Sequence, residues 1–292
     1  MSMTAETAGM TVIPSGAACG AEIRGVDPSQ DLPQPVIDAI AEAWRKHLVI
    51  YFRGFDLTLD QQLRFAGRFG DLGLRKQAPD GLRERTEGIL QTNEYTLLVS
   101  NMKVDGKPVG AFGEGDMWFH IDSGYSEKPY KYTFLYAIEI PSKGGNTLFA
   151  NQYMAYDDLS ADMKAKIEGR KALHIHEYKR SERVDLAQDI SKVPHWFHPV
   201  AVRHPETGKR ALFVDRLMTQ RIEGLSAEES ESVLNQLWDH AENPKYVYEH
   251  VWQLKDFVMW DNRCLTHGRT WFSPLENRLL RRCTVEGTPL GG

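Results

Sequence analysis

The sequence contains few cysteines, and their spacing excludes two classes of small stabilised domain. Only Cys19, Cys264 and Cys283 occur in 292 residues. Their number is odd, they lie far apart and no CxxC pair is present, so neither a disulfide framework nor a zinc ribbon is indicated. We expect these cysteines to be buried as small apolar side chains.

Long apolar runs and an excess of positive charge are also missing. No stretch reaches the length of a membrane span, and the amino-terminal segment lacks the basic region and apolar run of an export signal. We therefore expect a cytoplasmic protein with no membrane partner. The formal net charge is -5 and the basic residues are scattered, so we expect no nucleic-acid partner.

The composition favours a globular protein with a sizeable core. Hydrophobic residues make up 41% and charged residues 26% of the chain, close to the average for globular domains. A β-rich barrel with helices packed outside it can absorb a chain of this length. We predict one domain over residues 1–292, mainly β with flanking helices (α+β).

Apolar periodicity predicts several helices and strands. The segment 33–47 has apolar residues at helical spacing and precedes a buried strand. A strand is predicted over 132–141 and a helix from about Tyr153 to Glu168. Ser226 and Glu229 form a capping box that opens a helix extending to about residue 241.

Two long segments are candidates for lids over a site. Residues 73–115 are rich in Gly, Lys, Arg and Asp, with a hairpin predicted at Asp105-Gly106. Residues 179–197 lack clear periodicity. Loops of this length in a compact domain are often functional, so we predict that both segments cover the site.

The triplet His120-Ile121-Asp122 lies on a predicted strand. Side chains alternate across a strand, so His120 and Asp122 face the same side while Ile121 points away. An imidazole and a carboxylate are two of the three ligands of the two-histidine, one-carboxylate triad that binds Fe(II). A second histidine is required elsewhere, and His267 follows a hydrophobic strand where a barrel would open.

Two arginines follow this histidine on one predicted strand. Arg278 and Arg282 are four residues apart, so their guanidinium groups lie on the same face. A guanidinium can hold a carboxylate through two parallel hydrogen bonds. One arginine suits the distal carboxylate of 2-oxoglutarate, and the other suits an anionic substrate.

Other histidines offer competing interpretations. His174 and His176 also share a strand face and could form a cupin-like metal site, although no carboxylate and arginine follow at useful positions. Packing or turn roles are favoured for three more histidines: His195, His198 and His204. Helix-end or surface positions are expected for another three: His47, His240 and His250.

The motifs together resemble a known family. In chain order they are His120-x-Asp122, Gly144-Gly145-Asn146-Thr147, His198-Pro199-Val200, His204-Pro205-Glu206-Thr207-Gly208, Trp260-Asp261-Asn262-Arg263 before His267, and Arg278 with Arg282. This order resembles the taurine dioxygenase and phenoxyacetate-herbicide dioxygenase (TauD/TfdA) family over nearly the whole chain. The resemblance implies a double-stranded β-helix, or jelly-roll, core, and frequent dimers or tetramers.

The resemblance also implies roles for individual residues. The residues implied to bind iron are His120, Asp122 and His267. Thr147 and Arg278 are implied to hold the distal carboxylate of 2-oxoglutarate, and Arg282 a substrate carboxylate or sulfonate. Phe119 stands where the family often has Trp immediately before the ligand histidine, so we expect the wall of the substrate pocket to differ there.

The resulting prediction is an Fe(II)- and 2-oxoglutarate-dependent dioxygenase. With O2 it would hydroxylate a small anionic organic substrate and release succinate and CO2, with ether cleavage if the substrate is an aryloxy acid. Aromatic residues expected near the barrel mouth suit an aryl body: Trp118, Phe119, Tyr125 and Trp271. Two alternatives stay open, a metal-binding jelly-roll protein without catalysis and a desaturase of the same fold.

Overall fold

The computed structural model describes residues 9–75, 88–176 and 189–292 of the chain. The strands of this part are β1 (Thr11–Pro14), β2 (Ala21–Arg24), β3 (Val49–Phe52), β4 (Thr96–Ser100), β5 (Lys103–Val104), β6 (Lys107–Pro108), β7 (Met117–His120), β8 (Tyr132–Glu139), β9 (Thr147–Asn151), β10 (Lys171–Ile175), β11 (His195–Pro199), β12 (Ala201–Arg203), β13 (Arg210–Leu212), β14 (Thr219–Ile222), β15 (Val247–His250), β16 (Phe257–Asp261), β17 (Leu265–Arg269) and β18 (Leu279–Val285).

The helices of the described residues flank these strands. They are α1 (Gln34–His47), α2 (Leu59–Ala66), α3 (Gln152–Asp157), α4 (Ala161–Ile167) and α5 (Ala227–Ala241), with short 3-10 turns at Gly67–Phe69, Gly88–Leu90 and Pro244–Tyr246. The prediction of a mainly β protein with flanking helices is confirmed. Two boundaries were predicted closely, because α1 and the capping box of Ser226 with Glu229 both occur where the sequence indicated.

The strands form one large and several small sheets. Seven strands make the large sheet in the order β1-β2-β3-β16-β8-β18-β4, and four make a second sheet in the order β15-β9-β17-β7. Smaller sheets are β11-β10-β14, β12-β13 and β5-β6, the last a hairpin at Asp105-Gly106 as predicted. Because β7 is the last strand of the four-stranded sheet, only one of its edges is paired within that sheet.

Side-chain alternation divides the large sheet into two faces. On the inner face, Leu135 and Val258 belong to a cluster that also contains Phe149 and Leu265 of the four-stranded sheet. On the outer face, Phe134 belongs to a cluster with the buried faces of α1 and α2. The period of two along each strand places one set of residues between the sheets and the other under the helices.

One predicted helix is divided in the structure. The helix expected from about Tyr153 to Glu168 is two helices, α3 and α4, separated at residues 158–160. The hydroxyl of Ser160 accepts a hydrogen bond from the Met163 backbone N–H and caps α4. The prediction was wrong because apolar spacing continues across the break, whereas the capping residue starts a new helix.

The predicted lid segments are only partly described. Within 73–115, β4 is a strand of the large sheet and pairs with β18, while residues 76–87 lie outside the described residues. Of 179–197, residues 179–188 also lie outside them, and His195–Pro199 forms β11. No helix among the described residues has both the length and the apolar character needed to cross a membrane.

Candidate metal and cosubstrate site

A cavity opens between the two main sheets. It encloses about 450 Å³ of space not filled by atoms, including open solvent at its mouth. The residues that line it come from both sheets and their connections: Val99, Phe112, Met117, His120, Asp122, Leu135, Thr147, Trp260, His267, Gly268, Arg269, Arg278 and Arg282. Six of the seven side chains predicted for the site therefore meet at one cavity. Phe119 does not line it in the part of the chain that the structure describes.

Pairing of two strands brings the two predicted histidine ligands together. His120 on β7 and His267 on β17 are direct partners in the antiparallel register, and their ring centroids are 4.1 Å apart. β7 ends at His120, so Asp122 follows the strand rather than lying on it as predicted. Its carboxylate nevertheless faces both rings, and one ligand atom from each of the three residues lies within 4.8 Å of the others.

Hydrogen bonding and burial favour the two histidines as ligands of a cation. His120 Nδ1 lies 3.0 Å from the Trp118 carbonyl oxygen. A carbonyl only accepts, so Nδ1 carries the proton and Nε2 keeps its lone pair. Burial, and then the neighbouring charge of His120, hold the pKa of His267 well below its usual value. His267 is thus suited to act as a neutral ligand, and the hydrogen bond of His120 leaves its Nε2 free to bind a cation.

The carboxylate of Asp122 is kept ionised and oriented. Arg282 Nη1 donates to Asp122 Oδ1 at 2.8 Å, and the Thr133 hydroxyl donates to Oδ2 at 2.7 Å. Burial alone would raise the pKa of Asp122, but the positive charges of Arg282, His267 and His120 and the Thr133 hydrogen bond lower it to about 2. Asp122 is therefore an anion that needs no proton loss before it binds a metal.

A buried relay behind Asp122 was not predicted from the sequence. The Trp260 indole N–H donates to Asn262 Oδ1 at 2.9 Å, and Asn262 Nδ2 donates to the Thr133 hydroxyl at 2.9 Å. The Thr133 hydroxyl in turn donates a hydrogen bond to Asp122, so the polar atoms that connect these four residues all have partners. The only sequence signal was the motif Trp260-Asp261-Asn262-Arg263, which marked the segment without assigning Asn262 a partner.

The donor set fits a divalent iron ion. Two imidazoles and one carboxylate on one side of a cavity form a facial triad, which leaves further coordination positions open. The Nδ1 atom of His267 is buried and has no hydrogen-bond partner among the described residues. Its Nε2 lies 3.9 Å from Asp122 Oδ2, so this nitrogen faces the space that the three ligands share.

A second subsite of the cavity is suited to a carboxylate. Arg278 is 3% exposed, and its Nε donates to the Gly145 carbonyl oxygen at 3.0 Å. No carboxylate of the described residues forms an ion pair with it. Burial, and then the charge of Arg269, hold the pKa of Arg278 well below its usual value. A cation buried without an anion is costly, so an anionic ligand here would restore the missing partner.

Gly145 allows Arg278 to reach this position. The backbone of Gly145 has a φ of 65°, and a Cβ added there would lie 3.1 Å from both Cδ and Nε of Arg278. A side chain would thus be strained by the backbone and crowded by the arginine. Thr147 follows two residues later at the start of β9, where it is buried and lines the same cavity.

A third arginine ties a loop to the edge of the cavity. Arg269 donates from Nε to the Gly115 carbonyl oxygen at 3.0 Å, and from its two terminal nitrogens to the carbonyl oxygens of Phe112 and Glu114 at 2.5 and 3.1 Å. Phe112, at a φ of 58°, has a backbone conformation rare for such a side chain. Its ring lies 5.7 Å from the guanidinium carbon of Arg282.

A second group of possible metal ligands is an ion-pair network. His204, Asp261 and Cys264 also offer ligand atoms within 4.8 Å of one another. Both Asp261 oxygens, however, accept from Arg263, at 2.9 and 2.6 Å, and His204 Nε2 donates to Asp261 Oδ2 at 3.0 Å. Burial raises the pKa of the Cys264 thiol well above its usual value. A neutral thiol and an occupied carboxylate do not favour a metal here.

Three other histidines, His174, His176 and His250, do not line the cavity. The pair His174 and His176 belongs to neither group of possible metal ligands among the described residues. His250 was expected at a helix end or on the surface, which is wrong, because it is fully buried on β15. Its Nδ1 accepts from the Tyr248 hydroxyl and its Nε2 donates to Asp256, both at 3.0 Å.

Comparison with known proteins agrees with this site. The family model described as taurine catabolism dioxygenase TauD, TfdA family matches residues 11–284. The chain is 33% identical over 291 residues to an alpha-ketoglutarate-dependent 2,4-dichlorophenoxyacetate dioxygenase of Burkholderia sp. (strain RASC), covering 93% of this chain and 88% of that protein. It is 30% identical over 288 residues to pentalenolactone F synthase of Streptomyces arenae, covering 94% and 93% respectively.

A solved structure shows the same fold. The crystal structure of AAD-2 in complex with Mn(II) and N-oxalylglycine superposes with a TM-score of 0.78 at 29% identity, covering 97% of this chain and 99% of that one. A mainly β fold around a His-Asp-His cluster is thus that of a metal-dependent, 2-oxoglutarate-dependent dioxygenase, an oxidoreductase. The chain belongs to the taurine catabolism dioxygenase TauD, TfdA family. The predicted double-stranded β-helix core is confirmed.

Proposed function

We propose that this dioxygenase binds Fe(II) through His120, Asp122 and His267 and hydroxylates a small anionic organic substrate. The metal assignment is supported by three ligand atoms within 4.8 Å of one another, two on imidazole rings and one on an anionic carboxylate. Iron, 2-oxoglutarate and O2 together supply an oxidant for a C–H bond; one oxygen atom enters the product, and succinate and CO2 are released.

Arg278 and Thr147 hold the distal carboxylate of 2-oxoglutarate in this proposal. The observation that carries it is the buried Arg278, which has no carboxylate partner among the described residues and faces the same cavity as the metal ligands. The guanidinium supplies charge and a planar fork of donors, and the Thr147 hydroxyl supplies one more donor. A dicarboxylate anchored at this end would extend towards the triad.

Arg282 binds the anionic group of the substrate and also orients Asp122. Its guanidinium carries five N–H donors, and Nη1 donates to Asp122 Oδ1 at 2.8 Å. Because the side chain lines the cavity and lies over Phe112, an anion with an apolar or aryl body would find a cation and a ring side by side. Phe119 does not line the cavity, so this proposal gives it no contact with the substrate.

In this proposal the protein positions the substrate and excludes water from the space around it. Arg278 and Arg282 fix the two anions at different positions, so the substrate C–H bond is held rather than free to rotate. Apolar walls at Val99, Met117 and Leu135 exclude water from the space between the two anions. If the attacked carbon carries an ether oxygen, the hydroxylated product breaks down without a further residue.

An anaerobic binding experiment tests this function. Fe(II) and 2-oxoglutarate are added to the purified protein without O2, and the weak visible charge-transfer band of the bound cosubstrate is recorded. We expect the band in the unaltered protein and in His195→Ala, and its loss in His267→Ala. Absence of the band in the unaltered, folded protein would overturn the proposal; its persistence in His267→Ala would remove that residue from the ligand set.

Substrate class is tested separately by coupled turnover. Aryloxy acids, sulfonates and N-substituted acids are supplied with Fe(II), 2-oxoglutarate and O2, and succinate and the organic product are both measured. We expect product in stoichiometric ratio with succinate for an anionic substrate and none for its uncharged methyl ester. Equal turnover of acid and ester would contradict the role of Arg282.

A further inference from the structure

The hydroxyl of Thr147 has a buried partner that no motif indicated. The indole N–H of Trp252 donates to Thr147 Oγ1 at 3.1 Å, and both residues are buried. Trp252 follows β15, and Thr147 begins the neighbouring strand β9, so the contact joins residues that are 105 positions apart. It lies behind the residue proposed to bind 2-oxoglutarate.

The chemistry of the two groups fixes the direction of this hydrogen bond. An indole N–H can only donate, whereas a threonine hydroxyl has one proton and two lone pairs. Oγ1 of Thr147 must therefore accept from Trp252, and its own proton must point elsewhere. Among the described residues, no other side-chain hydrogen bond involves Oγ1, and Thr147 lines the cavity. The proton is thus available to an acceptor in the cavity.

Trp252 is itself held by a rigid polar network. The rings of Trp252 and His250 meet edge to face, with centroids 4.8 Å apart. Both nitrogens of His250 are hydrogen-bonded, one to Tyr248 and the other to Asp256. Asp256 also accepts from Arg53 Nη1 at 2.9 Å. The imidazole on which the indole packs can therefore neither flip nor shift without breaking buried hydrogen bonds.

We propose that Trp252 is a positioning residue of the cosubstrate subsite, which orients the Thr147 hydroxyl as a donor to the distal carboxylate of 2-oxoglutarate. The inference rests on the proposed role of Thr147 and deepens it. Without the indole N–H, the hydroxyl could turn its proton away from the cavity, and a bound carboxylate would have to select the competent rotamer. Binding would weaken while the metal ligands stayed in place.

A double-mutant cycle in equilibrium binding tests the proposal. The variants are Thr147→Val, Trp252→Phe and both together, in the full-length protein loaded anaerobically with Fe(II). The dissociation constant of 2-oxoglutarate is measured from the charge-transfer band and that of glutarate by calorimetry. Glutarate lacks the 2-keto acid group, so it reports on the carboxylate subsite. The affinity for Fe(II) and the thermal midpoint of each variant are measured as controls.

We expect Thr147→Val to weaken 2-oxoglutarate binding by about tenfold or more, the range for a hydrogen bond to a charged group. Trp252→Phe should weaken it by roughly three- to tenfold in the unaltered background and by less than twofold in the Thr147→Val background. Fe(II) affinity should be unchanged. Trp238→Phe, which removes an indole in a different hydrophobic cluster, should leave both dissociation constants as they are.

The outcomes separate this inference from the function on which it rests. If Thr147→Val leaves binding unchanged, the proposed role of Thr147 fails and the inference falls with it. If only Thr147→Val weakens binding, or if Trp252→Phe has the same effect in both backgrounds, Thr147 keeps its role and that of Trp252 is overturned. Should Trp252→Phe not fold, a 3-benzothienylalanine at this position removes the N–H with almost no change of shape.

Discussion

Arg282 donates from Nη1 to Oδ1 of Asp122 at 2.8 Å, so a residue proposed to bind the substrate also contacts a proposed metal ligand. In the proposed roles, different donors of one guanidinium would serve the substrate and Asp122. Substrate binding and metal binding would then be coupled through a single side chain. The arginine is partly exposed, with 19% of its side chain accessible, and it lines the cavity.

Replacing this arginine should affect the metal as well as the substrate. In Arg282→Gln the carboxylate of Asp122 loses a charge-assisted hydrogen bond and a positive charge that lowers its pKa. We expect Fe(II) affinity to fall by about tenfold, as is common when the partner of a ligand is removed. A Mn(II) titration followed by electron paramagnetic resonance measures this. Unaltered metal affinity would show that Arg282 serves only the substrate.

Arg278→Lys should weaken 2-oxoglutarate binding while leaving the metal in place. An ammonium keeps the charge but lacks the planar fork, and its shorter reach leaves the bound carboxylate poorly paired. We expect the dissociation constant to rise by about 30-fold or more. The matched control is Arg281→Lys on β18, three residues further along the chain, because Arg281 contacts Gln62 and Leu57 and does not line the cavity.

That control should lower the thermal midpoint without changing the dissociation constant, since it disturbs buried hydrogen bonds under α2. If both variants bind 2-oxoglutarate like the unaltered protein, Arg278 does not hold the cosubstrate. If both lose binding equally, the effect comes from the fold of β18 rather than from the cavity.

Thr133→Val should weaken metal binding through Asp122. The substitution removes the donor to Asp122 Oδ2 and the acceptor of the Asn262 amide, which is then left buried without its partner. We expect a loss of about 10- to 100-fold in Fe(II) affinity and of about 1 to 3 kcal/mol in the free energy of unfolding. Thr133→Ser retains the hydroxyl and should keep both near their original values; a similar loss in both variants would argue against the relay.

The pH dependence of stability should contain a contribution from His198. Burial, and then the charge of His174, lower the pKa of His198 to about 3. Between this value and the ordinary value near 6.5, the unfolded chain binds a proton that the folded protein does not. The free energy of unfolding therefore rises with pH across this interval, and falls as the pH is lowered, by up to about 1.4 kcal/mol per pH unit.

Chemical denaturation between pH 4 and pH 7 measures this slope. We expect it to decrease in His198→Gln and to persist in His195→Gln, which alters a more exposed histidine on the same strand. Part of the slope should remain in both, because burial also lowers the pKa of His176, to about 4. An identical slope in His198→Gln and in the unaltered protein would contradict the assignment.

Most of the site residues could be predicted from short-range spacing in the sequence. His120 and Asp122 are two residues apart, and Arg278 and Arg282 are four apart, so the geometry of a short segment was enough to place each pair together. The family resemblance supplied Thr147, whose position follows from a motif rather than from periodicity. The fold class could also be predicted, because strand alternation and helix caps are patterns within short segments.

Contacts between distant segments could not be predicted. Thr133 and Asn262 are 129 residues apart, and Thr147 and Trp252 are 105 apart, so nothing in either segment alone indicates the other. His250 was predicted at a helix end or on the surface, yet it is fully buried and hydrogen-bonded on both ring nitrogens. Register and packing decide such pairs, and neither is encoded in a window of a few residues.

The pairing of His120 with His267 has a mechanical consequence for the four-stranded sheet. β7 is one of the two edge strands of this sheet, and an edge strand, paired on one side only, opens more readily than a central strand. A cation bound by His120 of β7, His267 of β17 and the carboxylate beyond β7 would cross-link this edge strand to its neighbour. Loading should then slow deuterium uptake at the amides of 117–120, so that occupancy of the centre can be followed through the backbone in the absence of turnover.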